Sequence, residues 1–266
     1  MKNIFIISIA ILSFTFIACE KVIDLEINDA DTRFVIEAFT SNIDGRNFVK
    51  ISKTGNVYTT NTFEKVSNAS VVITDKNNQS FTFLESATEK GKYVLPGFAI
   101  TENTEYTLKI IAEGKTITGT SKSRTIAPLN WLAPIKGSAA FGSDTSKLTV
   151  AFSFTDPIPK GDNYRFIVTI DGVQDDYYYI GSDFLINEPE NINVLFATSI
   201  DSGATVHIEL LNMDEANYNY LFGLVNNTET GPFSATPANP VSNLDGDVLG
   251  VFGAFMMDTA TIVMPQ

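Results

Sequence analysis

Short runs of Val, Ile, Phe, Tyr and Thr, each bounded by Gly, Asn, Asp or Ser, begin at residue 33 and limit this chain to a mainly β fold. Seven of them fall within residues 33–125, at 33–40, 47–52, 70–75, 80–86, 91–95, 105–113 and 115–121. Asp44-Gly45, Asn77-Asn78, Lys90-Gly91 and Glu113-Gly114 separate them with residues that tolerate positive φ. Phe81 and Phe83 alternate with Ser80 and Thr82, as one buried and one wet face require. No helical period interrupts the series. The pattern predicts a β-sandwich of immunoglobulin-like or transthyretin-like type over 33–125.

At Thr125-Ile126-Ala127-Pro128-Leu129 a proline breaks the spacing, and a second β-rich domain is expected over 126–266. Its strands are predicted at 130–136, 146–155, 163–171 and 204–211. Leu148, Val150, Phe152 and Phe154 keep period two before Asp156-Pro157-Ile158-Pro159 stops the ladder. Val206, Ile208 and Leu210 are expected inside, with Thr205, His207 and Glu209 outside. Residues 172–200 read as a long aromatic and acidic connection. One helix is predicted at 213–226, started by Asn212 with Glu215 three places on. Tyr218, Leu221, Phe222 and Val225 would form its apolar face. Residues 231–246 are rich in Pro, Asn and Gly, and a hairpin is expected from Gly250 to Met264.

The N-terminus has its own logic. Lys2 precedes an apolar run from Ile4 to Ala18, interrupted by Ser8, Ser13 and Thr15 and closed by Phe16-Ile17-Ala18-Cys19. It is shorter than the roughly 20 apolar residues of a spanning helix. A signal peptide over 1–18 fits it, with a small residue before the cut. Cys19, the only cysteine, then stands where a thiol takes a diacylglycerol, and several acyl chains at about 0.8 kcal/mol per methylene hold a protein firmly on a bilayer. The alternative is a plain signal peptide with a chance cysteine. Residues 19–32 read as an acidic tether. With the thiol used, no disulfide is available, so the exported chain depends on its hydrophobic core. The formal charge of −13, from 18 Lys plus Arg against 31 Asp plus Glu, argues against nucleic acid and anionic lipid as partners.

The chemistry is sparse. His207 is the one histidine, and a polar strand face suits a solvated imidazole better than a general base. Zinc held by His and Cys is not expected. Asp171, Asp175 and Asp176 are the candidates for a cation. Asp156 with Asp162, and Asp245 with Asp247, are further acids in turns. None of these sets has the spacing of a helix-loop-helix calcium site. No cofactor is therefore expected, with a structural calcium ion as the alternative. Tyr177, Tyr178, Tyr179 and Phe184 are the candidate ligand-binding residues, because loops of sandwich proteins carry recognition and tyrosine stacks at little entropic cost. Packing between the two halves is the competing role for them.

Several segments carry a resemblance: Cys19-Glu20-Lys21-Val22-Ile23-Asp24, Arg33-Phe34-Val35-Ile36-Glu37-Ala38, Phe154-Thr155-Asp156-Pro157, Asn163-Tyr164-Arg165-Phe166, and Pro240-Val241-Ser242-Asn243-Leu244-Asp245-Gly246 leading to Leu249-Gly250-Val251-Phe252-Gly253. In this order they resemble a Bacteroidetes lipoprotein family named as domain of unknown function 4249. The resemblance implies an outer-membrane lipoprotein encoded beside TonB-dependent transporters, and it brings no catalytic residues. The expected function is a non-enzymatic accessory or binding module of such a transport system, lipid-anchored to the outer membrane on either its periplasmic or its cell-surface side. The alternatives are a carboxylate-dependent hydrolase acting on glycan or peptide through Asp156, Asp175 or Asp245, and a purely structural envelope protein.

Overall fold

Period-two alternation becomes a set of strands in the computed structural model, which describes residues 31–55, 63–136, 147–183, 190–194, 199–228 and 238–266. The first seven are β1 (Phe34–Ser41), β2 (Phe48–Lys53), β3 (Ser70–Asp75), β4 (Ser80–Glu85), β5 (Lys92–Val94), β6 (Glu105–Ala112) and β7 (Lys115–Lys122). They pair in the order β1-β2-β5-β4-β3-β6-β7. The turns work as their residues require: Gly45, Asn78, Gly91, Glu113 and Gly114 all have positive φ. The sheet folds over its inward positions, which include Ile36, Ile51, Ile73, Phe83, Tyr93, Leu108 and Ile110, all nearly inaccessible to solvent. Burial of this size is the main favourable term in such a fold.

The second set is β8 (Leu129–Lys136), β9 (Leu148–Thr155), β10 (Asn163–Ile170), β11 (Val173–Gln174), β12 (Tyr179–Ser182), β13 (Glu190–Val194) and β14 (Thr205–Met213). The expected long connection after β10 thus contains three short strands. β8, β9 and β13 form a three-stranded sheet with β9 in the centre. That sheet lies over β10 and β14, and Phe152, Phe154, Phe166, Val168, Val206, Ile208 and Leu210 meet between them. Phe152 and Phe154 pack edge-on against Phe166 and Tyr164, at centroid distances of 4.9 and 4.7 Å.

The C-terminal hairpin expected at 250–264 is instead one long strand, β15 (Val248–Val263). Its first half pairs parallel with β1, Phe34 to Val248 through Ser41 to Phe255. Its second half pairs antiparallel with β14, Asn212 to Met256 through Thr205 to Val263. Thr32–Gln266 accordingly clusters as one compact unit. Phe252, Ala254 and Met256 enter the first core, and Ile262 and Met264 reach the second. Phe255 and Met257 join a third cluster with Leu211, Met213 and Leu221. The preceding segment is latched onto β7. Asn243 donates to the carbonyls of Thr120 and Phe252, Asp245 accepts from the Thr118 hydroxyl, and Leu244 fills the first core.

The helix is α1 (Glu215–Thr228), two residues later than predicted, because β14 continues through Asn212 and Met213. Asp214, not Asn212, caps it: its Oδ1 accepts from the Asn217 amide at 2.9 Å. The buried stripe is also turned by one residue. Tyr218 and Leu221 pack inward as expected, Tyr220 and Leu224 join them, and Phe222 is exposed. The rotation follows from Asn217, which is buried and donates to Ser121, Asp214 and the Phe252 carbonyl, an anchor no hydropathy pattern reveals. Among the described residues no helix is long and apolar enough to cross a membrane.

Candidate functional site

Alternation on β10 sends Tyr164, Phe166 and Val168 into the second core and leaves Arg165 on the opposite face. Arg165 there lines a half-open cavity of about 310 Å³ together with residues of β1, β15 and α1. Its walls are mostly apolar, with Val35, Phe39, Leu221, Leu224, Val251 and Phe255 among them. Phe39 lies 4.8 Å from Phe255 and stacks on Phe48 at 5.7 Å. The polar groups are few: Arg165, Tyr178, Tyr220, Asn217 and the exposed Glu37. This is the composition of a small-molecule pocket, apolar with a few placed polar groups. Burial pushes the Tyr220 phenol up, and the charge of Glu37 adds to it.

Arg165 is the unusual member. Its Nε is buried without a hydrogen-bond partner. The Tyr178 ring covers the guanidinium at 5.0 Å. Burial pulls its pKa below the ordinary value, opposed by the charges of Tyr178 and Glu209. Glu209 was expected to face solvent, yet it is 5% exposed, because Arg46 from the β1–β2 loop closes over it as an ion pair. A second hollow of about 340 Å³, lined by Arg46 and Ile167, shares Phe39, Phe48 and Arg165 with the first.

The three tyrosines divide as a strand requires. Tyr177 and Tyr179 pack on one side, 4.7 Å apart and tilted by 55°, and Tyr178 turns to Arg165. Asp175 holds this turn, accepting from the Tyr177 amide and the Tyr179 hydroxyl. Asp171 accepts from the Thr205 amide, and Asp176 is exposed, so the cation candidates Asp171, Asp175 and Asp176 are not brought together. Cys19 and Phe184 lie outside the described residues. His207 is half-exposed, bonded to Thr261 Oγ1 at 2.8 Å, with Glu209 at 3.6 Å. The acids considered for hydrolysis sit in separate hydrogen-bond sets: Asp245 on β7, Asp175 in the tyrosine turn, and Asp156 against Tyr164.

Asp156, Asp162 and Asp183 form the acidic cluster whose oxygens lie within 4.8 Å of one another. Asp183 carried no sequence signal, since it follows an irregular aromatic stretch. A divalent cation could be held there by oxygen donors, but each carboxylate already has a partner. Asp162 pairs with Arg124 at 2.7 Å, Asp183 accepts the Gly161 amide at 2.7 Å, and Asp156 accepts the Tyr164 hydroxyl. Burial pushes Tyr164 far up, and the acceptor Asp156 adds to this. Burial also raises Asp156, reinforced by Asp183 and Asp162 and opposed by the Tyr164 bond and Lys160. The folded state therefore holds the Asp156 proton more tightly than the unfolded chain. That stabilisation is complete below the unfolded pKa near 3.9 and is lost as pH rises through the folded value. Asp156→Asn keeps the acceptor for Tyr164 and removes the charge. It is expected to raise the melting temperature at pH 7 and to leave it unchanged at pH 3.5, measured by thermal melts across pH.

A family model described as a domain of unknown function, DUF4249, matches residues 20–261. The chain belongs to this family. No curated protein matches it. Among solved structures, the chain is similar to a two-domain fibronectin type-III segment of chicken tenascin, at 13% identity over 69% of this chain and 92% of that one, with a TM-score of 0.24. It is also similar to the FN1–FN3 domains of chicken CNTN1, at 10% identity over 87% and 66%, with a TM-score of 0.26. A chain titled as a cytokine receptor complex matches at 10% identity over 89% and 97%, with a TM-score of 0.27. At such scores these likenesses say nothing about what the DUF4249 chain binds. Three of the segments that carry the family resemblance lie around β15: β1 beside it, the 240–246 latch before it, and Arg165 on the wall of the same cavity.

Proposed function

We propose that this DUF4249 protein is a non-enzymatic outer-membrane lipoprotein, anchored through Cys19, that serves as a binding module beside a TonB-dependent transporter. The cavity carries the binding part of this reading: about 310 Å³ of mostly apolar space with a guanidinium at its edge. The envelope part rests on Cys19 closing the apolar run and on the family resemblance. Binding is favoured over hydrolysis because Asp156, Asp175 and Asp245 sit apart in separate hydrogen-bond sets, and the clustered Asp156, Asp162 and Asp183 are each engaged by a protein partner. Calcium has no part in this reading. Affinity capture of the tagged, detergent-extracted protein from its own cells is expected to recover a transporter of the TonB-dependent class. Recovery of the bait alone from a well-solubilised membrane would overturn the partnership.

A further inference from the structure

We propose that the cavity beside Arg165 receives a small amphipathic oxyanion, its head paired with the guanidinium and its chain lying along Phe39, Leu221, Leu224 and Val251. This rests on the binding-module reading and names the class of ligand. Arg165 makes no ion pair among the described residues, and its buried Nε lacks an acceptor. A guanidinium without its anion loses hydration that nothing replaces, whereas an oxyanion would meet a planar fork of donors. The acid that acts on it electrostatically, Glu209, is committed to Arg46 and faces His207. Tyr178 covers the guanidinium at 5.0 Å, and a stacked fork still offers donors along its edge. The half-open hollow of about 310 Å³ has the scale of a small-molecule pocket and suits a short-chain amphiphile whose tail follows the apolar wall. Glu37, exposed where it lines the cavity, repels a dianion more than a monoanion and so favours a carboxylate head over a phosphate at neutral pH. Octanoate matches this description. Carboxylate and phosphate heads share the chemistry, and a direct comparison separates them.

The test uses the full lipidated chain in lipid nanodiscs, titrated calorimetrically with octanoate, octyl phosphate and octan-1-ol. Protein-free discs of the same lipid provide the blank for partitioning into lipid. Saturable one-to-one binding of octanoate is expected, with a loss of about 10- to 100-fold in Arg165→Gln, the scale of a charged hydrogen bond, and a similar deficit for octan-1-ol. Tighter binding of octyl phosphate than octanoate would assign a phosphate head, and the reverse a carboxylate. Leu224→Trp fills the cavity with Arg165 intact and should abolish binding while circular dichroism shows a folded protein. Equal affinity for octanoate and octan-1-ol, unchanged binding in Arg165→Gln, or no saturable binding by the folded wild type would overturn the assignment. Transporter capture by the wild-type protein reads the broader function separately: failed capture with intact octanoate binding removes the partner and keeps the ligand, and the reverse removes only the ligand.

Discussion

Ending the chain at Gly246 is expected to abolish folding of everything before it. The removed residues include all of β15, which supplies Phe252, Ala254 and Met256 to the first core, Phe255 and Met257 to the third cluster, and Ile262 to the second, where Met264 just after the strand is also buried. Truncating one buried Met or Phe to Ala costs about 2–5 kcal/mol. Losing several at once exceeds the roughly 5–15 kcal/mol that holds a whole domain. The loss also exposes the ladder edges of β1 and β14, which invites aggregation. Circular dichroism and limited proteolysis of the 1–246 chain should show neither half protected. A stable, protease-resistant 33–125 fragment from that chain would contradict this account of how the cores are joined.

Gly250→Ala is expected to have the second largest effect. Gly250 has φ of +106° and faces Ile36 in the parallel ladder. A Cβ there would stand 1.8 Å from the Ile36 carbonyl oxygen and 2.7 Å from its carbon. Both atoms are backbone in the middle of β1, so no side chain can move aside. The penalty should exceed about 4 kcal/mol, the range reserved for such clashes, or about 10–15 °C in melting temperature for a chain of this size. Gly114→Ala separates the two causes. It also has positive φ, at +75°, but nothing lies within 4 Å of its added Cβ. It should cost only about 1–2 kcal/mol, the ordinary left-handed penalty. Similar melting temperatures for the two variants would show that strain, not collision, governs Gly250.

Local pattern made most strands of both sandwiches readable. Phe81 and Phe83, or Leu148 through Phe154, announce their faces by alternation alone, and Glu113-Gly114 announces its turn by its tolerance of positive φ. β15 could not be read that way. Its partner β1 lies more than 200 residues earlier, so the pairing leaves no local trace, and the glycines at 250 and 253 imitate a turn. They are needed instead for close approach, to Ile36 at 250 and to the Phe255 ring at 253. The helix start slipped because Asn212 and Asp214 are both good caps, and tertiary pairing of β14 decided between them. In the candidate site, Tyr178 was visible as an aromatic residue in an irregular stretch. Arg165 was not, because a cation at an alternate strand position reads as a wet face until α1 and β15 are seen to line a cavity with it. Glu209 was hidden for the same reason, under Arg46.

The proposed function depends on a lipid tether at Cys19. Intact mass spectrometry of the native, membrane-extracted protein tests it most directly. The expected product begins at Cys19 and carries the added mass of a diacylglycerol with its acyl chains, and Cys19→Ser shifts the protein out of the membrane fraction. A mature N-terminus without fatty acid, or a retained leader of residues 1–18, would contradict it.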